Sequence, residues 1–97
     1  MALPVTSVKV HGRRYAILVV DDLQYEGEQQ LGLCDITKHE ITLLSGSDAL
    51  MADTLFHEIV HAACPELTEE QVLGIERSLF AVLADNPAMT KWIFKAR

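Results

Sequence analysis

The sequence predicts an α+β fold, in which a small N-terminal sheet is followed by helices. Short alternating apolar and polar segments, separated by turn residues, fill the first half of the chain. Longer helix-compatible segments with capping residues fill the second half. No repeat, low-complexity segment or linker interrupts the 97 residues, so we expect a single domain, residues 1–97.

Two predicted hairpins make up the sheet, which is expected to be antiparallel or mixed and to have three or four strands. In the first hairpin, Val8 and Val10 share one face, and His11-Gly12 forms a tight turn. The polar residues 21–30 are expected to form a loop. The predicted strands cover residues 6–10, 15–20, 31–36 and 41–44.

Capping residues define the helices of the second half. Residues 45–48 can cap a first helix, which Pro65 ends. Thr68 and Gln71 form a capping box for a second helix. Asn86, followed by proline, can begin a short last helix. The first two predicted helices cover residues 49–64 and 69–84.

The charge and cysteine content exclude several classes of function. A net charge of −6 disfavours a nucleic-acid partner and a basic membrane-surface helix. No apolar segment reaches the roughly 20 residues that cross a bilayer, and the N-terminus lacks a signal-peptide pattern. Cys34 and Cys64 form neither a CxxC motif nor a disulfide framework. These features predict a cytoplasmic protein that binds neither nucleic acid nor membrane.

The chemistry-bearing motif is HExxH, formed by His57-Glu58-Ile59-Val60-His61. Residues four apart lie on one face of a helix, so His57 and His61 can each give a nitrogen to one Zn²⁺ ion at about 2.0–2.1 Å. Glu58 lies about 100° round the helix and can act as a general base towards a water on the metal without binding the metal itself. The motif therefore predicts a zinc site with Glu58 as the catalytic residue.

The surroundings of the motif favour a metal over two satisfied core histidines. The predicted helix is apolar on nearly every side, which is typical of a buried helix. Burying two histidines and a glutamate without partners is unfavourable, whereas a metal ion satisfies all three.

A third zinc ligand is expected from the second helix, because the chain has neither the glycine nor the histidine that would extend the motif in metzincins. Glu76 lies in the middle of that helix's apolar face and leans towards the histidines, so it is the preferred ligand. Glu69 lies on the same side and remains the alternative. The predicted apolar face consists of Val72, Ile75, Leu79, Phe80, Val82 and Leu83.

The segment HEIVHA followed by LTEEQVLGIERSLFAVLADNP resembles small phage-type and bacterial zincin-like metallopeptidases of the gluzincin kind. The plan is similar to that of minigluzincins and of the ImmA/IrrE and SprT-like groups. The resemblance implies peptide-bond hydrolysis of a peptide or protein substrate. It also implies that residues 40–44 border the cleft and pair with an extended peptide.

Several other residues have two possible roles. Cys64 is either a fourth ligand or regulatory thiol or, more simply, a small buried residue, and Cys34 is expected to face the core. Peptide hydrolysis needs a donor that stabilises an oxyanion, for which the candidates are Tyr15, Tyr25 and His39. His11 and His39 are otherwise solvated turn histidines.

The apolar segment near the C-terminus also has two interpretations. Trp92, Ile93 and Phe94 are expected to pack on the core. They could instead form a patch for self-association or for a partner protein.

The leading hypothesis is a zinc metallopeptidase in which His57, His61 and Glu76 bind Zn²⁺ and Glu58 is the general base. The alternative is a zinc-stabilised binding or regulatory module of phage or bacterial origin, catalytically weak or latent, because few residues remain to wall a substrate cleft. A third possibility is a metal-free interaction domain.

Overall fold

A computed structural model describes residues 3–97 and shows an α+β arrangement of a mixed sheet followed by helices. The strands are β1 (Ser7–Val10), β2 (Arg13–Val20), β3 (Gln24–Tyr25), β4 (Glu28–Gln29), β5 (Gly32–Asp35) and β6 (Glu40–Leu44). The helices are α1 (Asp48–Ala63), α2 (Glu69–Ile75), a π-helical segment (Glu76–Phe80), α3 (Ala81–Asp85) and α4 (Pro87–Ala96). Helix α2, the π-helical segment and α3 follow one another without a break.

Four strands form the main sheet in the order β1-β2-β6-β5. Both predicted hairpins are confirmed, since β1 pairs antiparallel with β2 and β5 pairs antiparallel with β6. The two hairpins join through parallel pairing of β2 with β6. At the first turn, His11 and Gly12 have φ values of 50° and 79°, the left-handed conformation that a tight two-residue hairpin needs.

Residues 21–30 do not form the simple loop that the sequence predicted. They contain a second, two-stranded sheet in which β3 pairs with β4. Its turn is Glu26-Gly27, with φ values of 53° and 80°. The prediction failed because each strand has only two residues, too short to show alternation.

The expectation that residues 40–44 pair with a peptide is wrong. These residues form β6, which is bonded to β2 on one side and to β5 on the other. Both of its backbone edges are therefore used, and Ile41 and Leu43 are completely buried. The free edge next to the helices belongs to β5 instead.

Helix α1 covers the sheet with one face only. Ser47 caps it by accepting a hydrogen bond from the Leu50 amide. The residues that it buries recur every three or four positions: Met51, Thr54, Glu58 and Ala62. Burial on every side, which the composition of this segment suggested, is therefore wrong, because the histidine face looks away from the sheet into an open cleft.

The second helix departs from the regular period that the sequence analysis assumed. Its capping box is confirmed, with both the Thr68 and Gln71 hydrogen bonds formed. The wider turn over Glu76–Phe80 changes the face presented by the residues that follow it. Leu79, inside this segment, and Val82, just after it, were predicted to face inward but are about half exposed, at 51% and 49%.

Helix α4 does not pack on the core as expected. Among the described elements it contacts only α3. Trp92 is 70% exposed and Phe94 is 59% exposed, so the C-terminal apolar side chains face solvent. Within residues 3–97, no helix combines the length and apolar character needed to cross a membrane.

Candidate metal centre

The two histidines of the HExxH motif meet one carboxylate of the next helix. Both lie on α1, one turn apart, and their Nε2 atoms are 3.2 Å from each other. Oε1 of Glu69 lies 2.6 Å from Nε2 of His57, and Oε2 of Glu69 lies 2.9 Å from Nε2 of His61. Glu69 is the first residue of α2, so the turn between the helices brings it opposite the histidines.

Glu76 contacts the other nitrogen of His57. Its Oε1 lies 2.7 Å from Nδ1 of that histidine, so an Nδ1–H group can donate to the carboxylate. The Glu76 side chain is 21% exposed and that of Glu69 is 64% exposed. Glu76 is the first residue of the π-helical segment. Its carboxylate contacts the Nδ1 side of the His57 ring, so the ring lies between Glu76 and the two Nε2 atoms.

His57 is therefore held between two carboxylates. Burial lowers the pKa of His57, but the hydrogen bond with Glu76 and the charge of Glu69 outweigh burial, so the pKa is raised from its usual value. A neutral imidazole has one N–H and cannot donate to both carboxylates at once. In the absence of metal, a proton on each nitrogen satisfies this arrangement.

Glu58 lies on the sheet side of the same cleft. It is 7% exposed, and burial raises the pKa of its carboxyl, while His57 and His61 oppose that shift. The bare Cα of Gly32 in β5 lies directly against it, since a Cβ built on Gly32 would be 3.1 Å from Oε2 of Glu58. Glu58 is thus separate from the ligand cluster and lines the same cleft.

The donor set fits a zinc ion. Ligands at about 2.0–2.1 Å in tetrahedral geometry are about 3.3 Å apart. The two Nε2 atoms already lie at 3.2 Å, and one ligand atom from each of His57, His61 and Glu69 lies within 4.8 Å of the others. The Glu69 oxygens, at 2.6 and 2.9 Å from the two nitrogens, are in direct hydrogen-bond contact and would have to move outward to share an ion. Two imidazoles and a carboxylate, with Glu76 on the remote nitrogen of one imidazole, are typical of zinc sites. The cluster found among the described residues consists of His57, His61 and Glu69, without Glu76.

The cluster opens into a cleft of about 640 Å³ between α1, α2 and the edge strand. One wall comes from residues 29–34, which include the first three residues of β5, and the opposite wall includes Leu73 and Pro65. No lysine or arginine lines the cleft among the described residues. The free backbone edge of β5 therefore runs beside the histidines and Glu58.

The three predicted oxyanion donors lie outside this cleft. Tyr15 is 3% exposed in the core, where its ring lies 5.2 Å from that of His39. His39 lines a smaller, separate cavity at the C-terminal end of α1, next to His11, whose Nε2 lies 2.9 Å from the Ala63 carbonyl oxygen. Tyr25 is 55% exposed on the small hairpin and does not line the cleft either.

The cysteines are both free and neither joins the ligand cluster. Cys34 packs against the core, as predicted, and also lines the cleft. Burial, together with the charges of Glu58 and Asp35, raises the pKa of the Cys34 thiol to about 11. Cys64 ends α1 as its C-cap.

Sequence reasoning missed Gly32 and the edge strand that contains it. A glycine inside a predicted strand signals a close backbone approach, and that signal was present in residues 31–36. Comparison with known proteins adds no assignment, because no protein-family model, curated protein or solved structure matches the chain.

Proposed function

We propose that this chain is a zinc-dependent metallopeptidase with a zincin-like arrangement of its HExxH helix. The observation that carries the proposal is the meeting of two Nε2 atoms and one carboxylate beside a separate buried carboxylate, Glu58. Structural zinc sites are closed by four protein ligands, whereas catalytic sites keep a position open. Three ligands facing an open cleft support a catalytic site.

The proposed ligands are His57, His61 and Glu69. Glu69 faces both Nε2 atoms, which is the position that the sequence analysis kept as its alternative. Glu76 as the third ligand stays a prediction, but its contact with Nδ1 favours a different role. Through that contact it holds the His57 ring in one tautomer, with the Nε2 lone pair directed into the cluster.

When bound at this cluster, zinc would polarise the substrate carbonyl and make a water molecule acidic near neutral pH. Glu58 accepts the proton of the attacking water and later passes it to the leaving amine. The raised pKa of the Glu58 carboxyl suits the first of these steps, because a carboxylate that is too weakly basic would not take the proton. The free edge of β5 can bind an extended peptide backbone by antiparallel or parallel pairing.

The first test combines metal analysis with a single conservative substitution. Protein purified without added zinc should contain stoichiometric zinc, and His57→Ala should lose it. Glu58→Gln should keep the zinc and abolish hydrolysis of an unfolded protein substrate, because the amide cannot accept the proton. Hydrolysis by Glu58→Gln equal to that of the wild type would show that the mechanism is wrong.

A zinc-stabilised module without useful catalysis is the second candidate. The side chain of Glu69 is 64% exposed, and the described residues that wall the cleft come from one edge strand with its flanking residues on one side and from the helical hairpin on the other. A shallow site of this kind binds a substrate weakly unless a partner completes it. Full zinc occupancy with no hydrolysis by the wild-type chain would favour this candidate over the first.

A further inference from the structure

Gly32 is the point at which the edge strand β5 crosses α1 without a side chain between them. A Cβ built on Gly32 would lie 2.6 Å from Cγ2 of Thr54 and 3.1 Å from Cγ and Oε2 of Glu58. The first distance is shorter than van der Waals contact permits, and the second is tight. Any side chain at this position must therefore displace Thr54, Glu58 or the strand.

Thr54 has little freedom to move. It is 8% exposed, and its hydroxyl donates a 2.8 Å hydrogen bond to the Leu50 carbonyl one turn earlier in α1. A β-branched side chain in a helix also has few allowed rotamers. Glu58 is the longer and more flexible neighbour, so a change at Gly32 is transmitted to its carboxylate or lifts β5 away from it.

The requirement at Gly32 concerns space, not backbone conformation. Gly12 and Gly27 have positive φ values and nothing within 4 Å of a built Cβ, so they serve their turns. Gly74, in α2, also has nothing within 4 Å, and its φ is not positive. Gly32 has an ordinary strand conformation, so alanine fits its backbone but not its surroundings.

We propose that Gly32 is a positioning residue for Glu58. Its bare backbone forms the surface against which the Glu58 side chain lies and so fixes the carboxylate beside the histidine cluster. This inference rests on the proposed function, since the position of Glu58 matters for turnover only if Glu58 is the general base. It concerns Glu58 and not the proposed ligands, because the three heavy atoms nearest to the built Cβ belong to Thr54 and Glu58.

Misplacing a catalytic group by about 1 Å reduces turnover by about 10²-fold. We therefore expect Gly32→Ala to lower kcat by about that factor, while KM and zinc affinity stay close to those of the wild type. Overpacking between β5 and α1 should also lower the Tm, by about 5–15 °C. Gly74→Ala is the matched control and should keep kcat, zinc affinity and Tm, or raise the Tm slightly.

A second substitution separates the two contacts of the new methyl group. Thr54→Ser removes Cγ2 and keeps the hydroxyl bonded to Leu50. Gly32→Ala combined with Thr54→Ser should regain most of the lost Tm, yet its kcat should stay low because Glu58 is still displaced. Recovery of kcat to the level of Thr54→Ser alone would overturn the proposal. The double variant also keeps the test decisive if Gly32→Ala does not fold.

A third comparison does not depend on turnover. Glu58→Ala removes the atoms that lie 3.1 Å from the new methyl group, so Gly32→Ala should lower the Tm less in the Glu58→Ala background than in the wild type. An equal loss of Tm in both backgrounds would overturn the contact itself. If the wild type shows no peptidase activity, the proposed function fails, and this coupling still decides whether Gly32 holds Glu58.

Discussion

Replacing Glu69 by alanine is expected to weaken zinc binding more than replacing Glu76 by alanine. Glu69 faces Nε2 of both histidines, at 2.6 and 2.9 Å, whereas Glu76 contacts only the remote Nδ1 of His57, at 2.7 Å. Loss of an outer partner of a ligating histidine typically lowers metal affinity by 10–100-fold, or about 1.4–2.7 kcal/mol. Glu76→Ala should fall in that range, and Glu69→Ala should exceed it.

The difference can be measured by competition for zinc with a coloured chelator. The Glu69 side chain is 64% exposed, so its removal leaves no cavity that would complicate the comparison. Glu70→Ala is the matched control, since Glu70 is exposed on the same first turn of α2 and does not belong to the cluster. A larger loss with Glu76→Ala than with Glu69→Ala would refute this reasoning and identify Glu76 as the third ligand.

Three further predictions concern stability and thiol reactivity. Zinc at 100 times its Kd should raise the Tm of metal-free protein by about 10–20 °C, and calorimetry of His57→Ala should show no such shift. In metal-free protein, the raised pKa of His57 contributes stability that is fully present below its unfolded value of 6.5 and is lost as pH rises through the folded value. A Tm that falls with rising pH, and falls less in Glu76→Gln, is therefore expected, and an identical slope in the variant would contradict it. Because the pKa of Cys34 is about 11, iodoacetamide at pH 8 should label this thiol much more slowly in folded than in urea-unfolded protein, as peptide mass spectrometry can check.

Local chemistry made much of the fold predictable. The His11-Gly12 turn, the Ser47 cap and the Thr68 capping box each depend on residues that are neighbours in sequence, and all three are present. What the sequence could not show was the pairing between the two hairpins. Parallel contact of β2 with β6 makes β6 an inner strand and leaves β5 as the edge, and no local pattern distinguishes these outcomes.

The candidate site was predictable to a similar extent. The i, i+4 spacing alone predicts that His57 and His61 share a helix face, and the structure brings them together. The choice between Glu69 and Glu76 depended on a regular helical projection from the interhelical turn. That projection did not include the width of the turn, which places the start of α2 opposite the histidines, or the π-helical segment that begins at Glu76.

The three proposed zinc ligands lie close together along the chain, while the surface under Glu58 comes from the distant strand β5. Residues 57–69 span only the end of one helix, a short turn and the start of the next. Closing this small loop loses little chain entropy, so the helical hairpin is expected to bring the proposed zinc ligands together early in folding. Docking of β5 joins segments far apart in sequence and is expected to come later. Under the proposed function, newly made chains would then pass through a state in which the zinc ligands are assembled before Glu58 is in place, and hydrolysis would have to wait until β5 has docked.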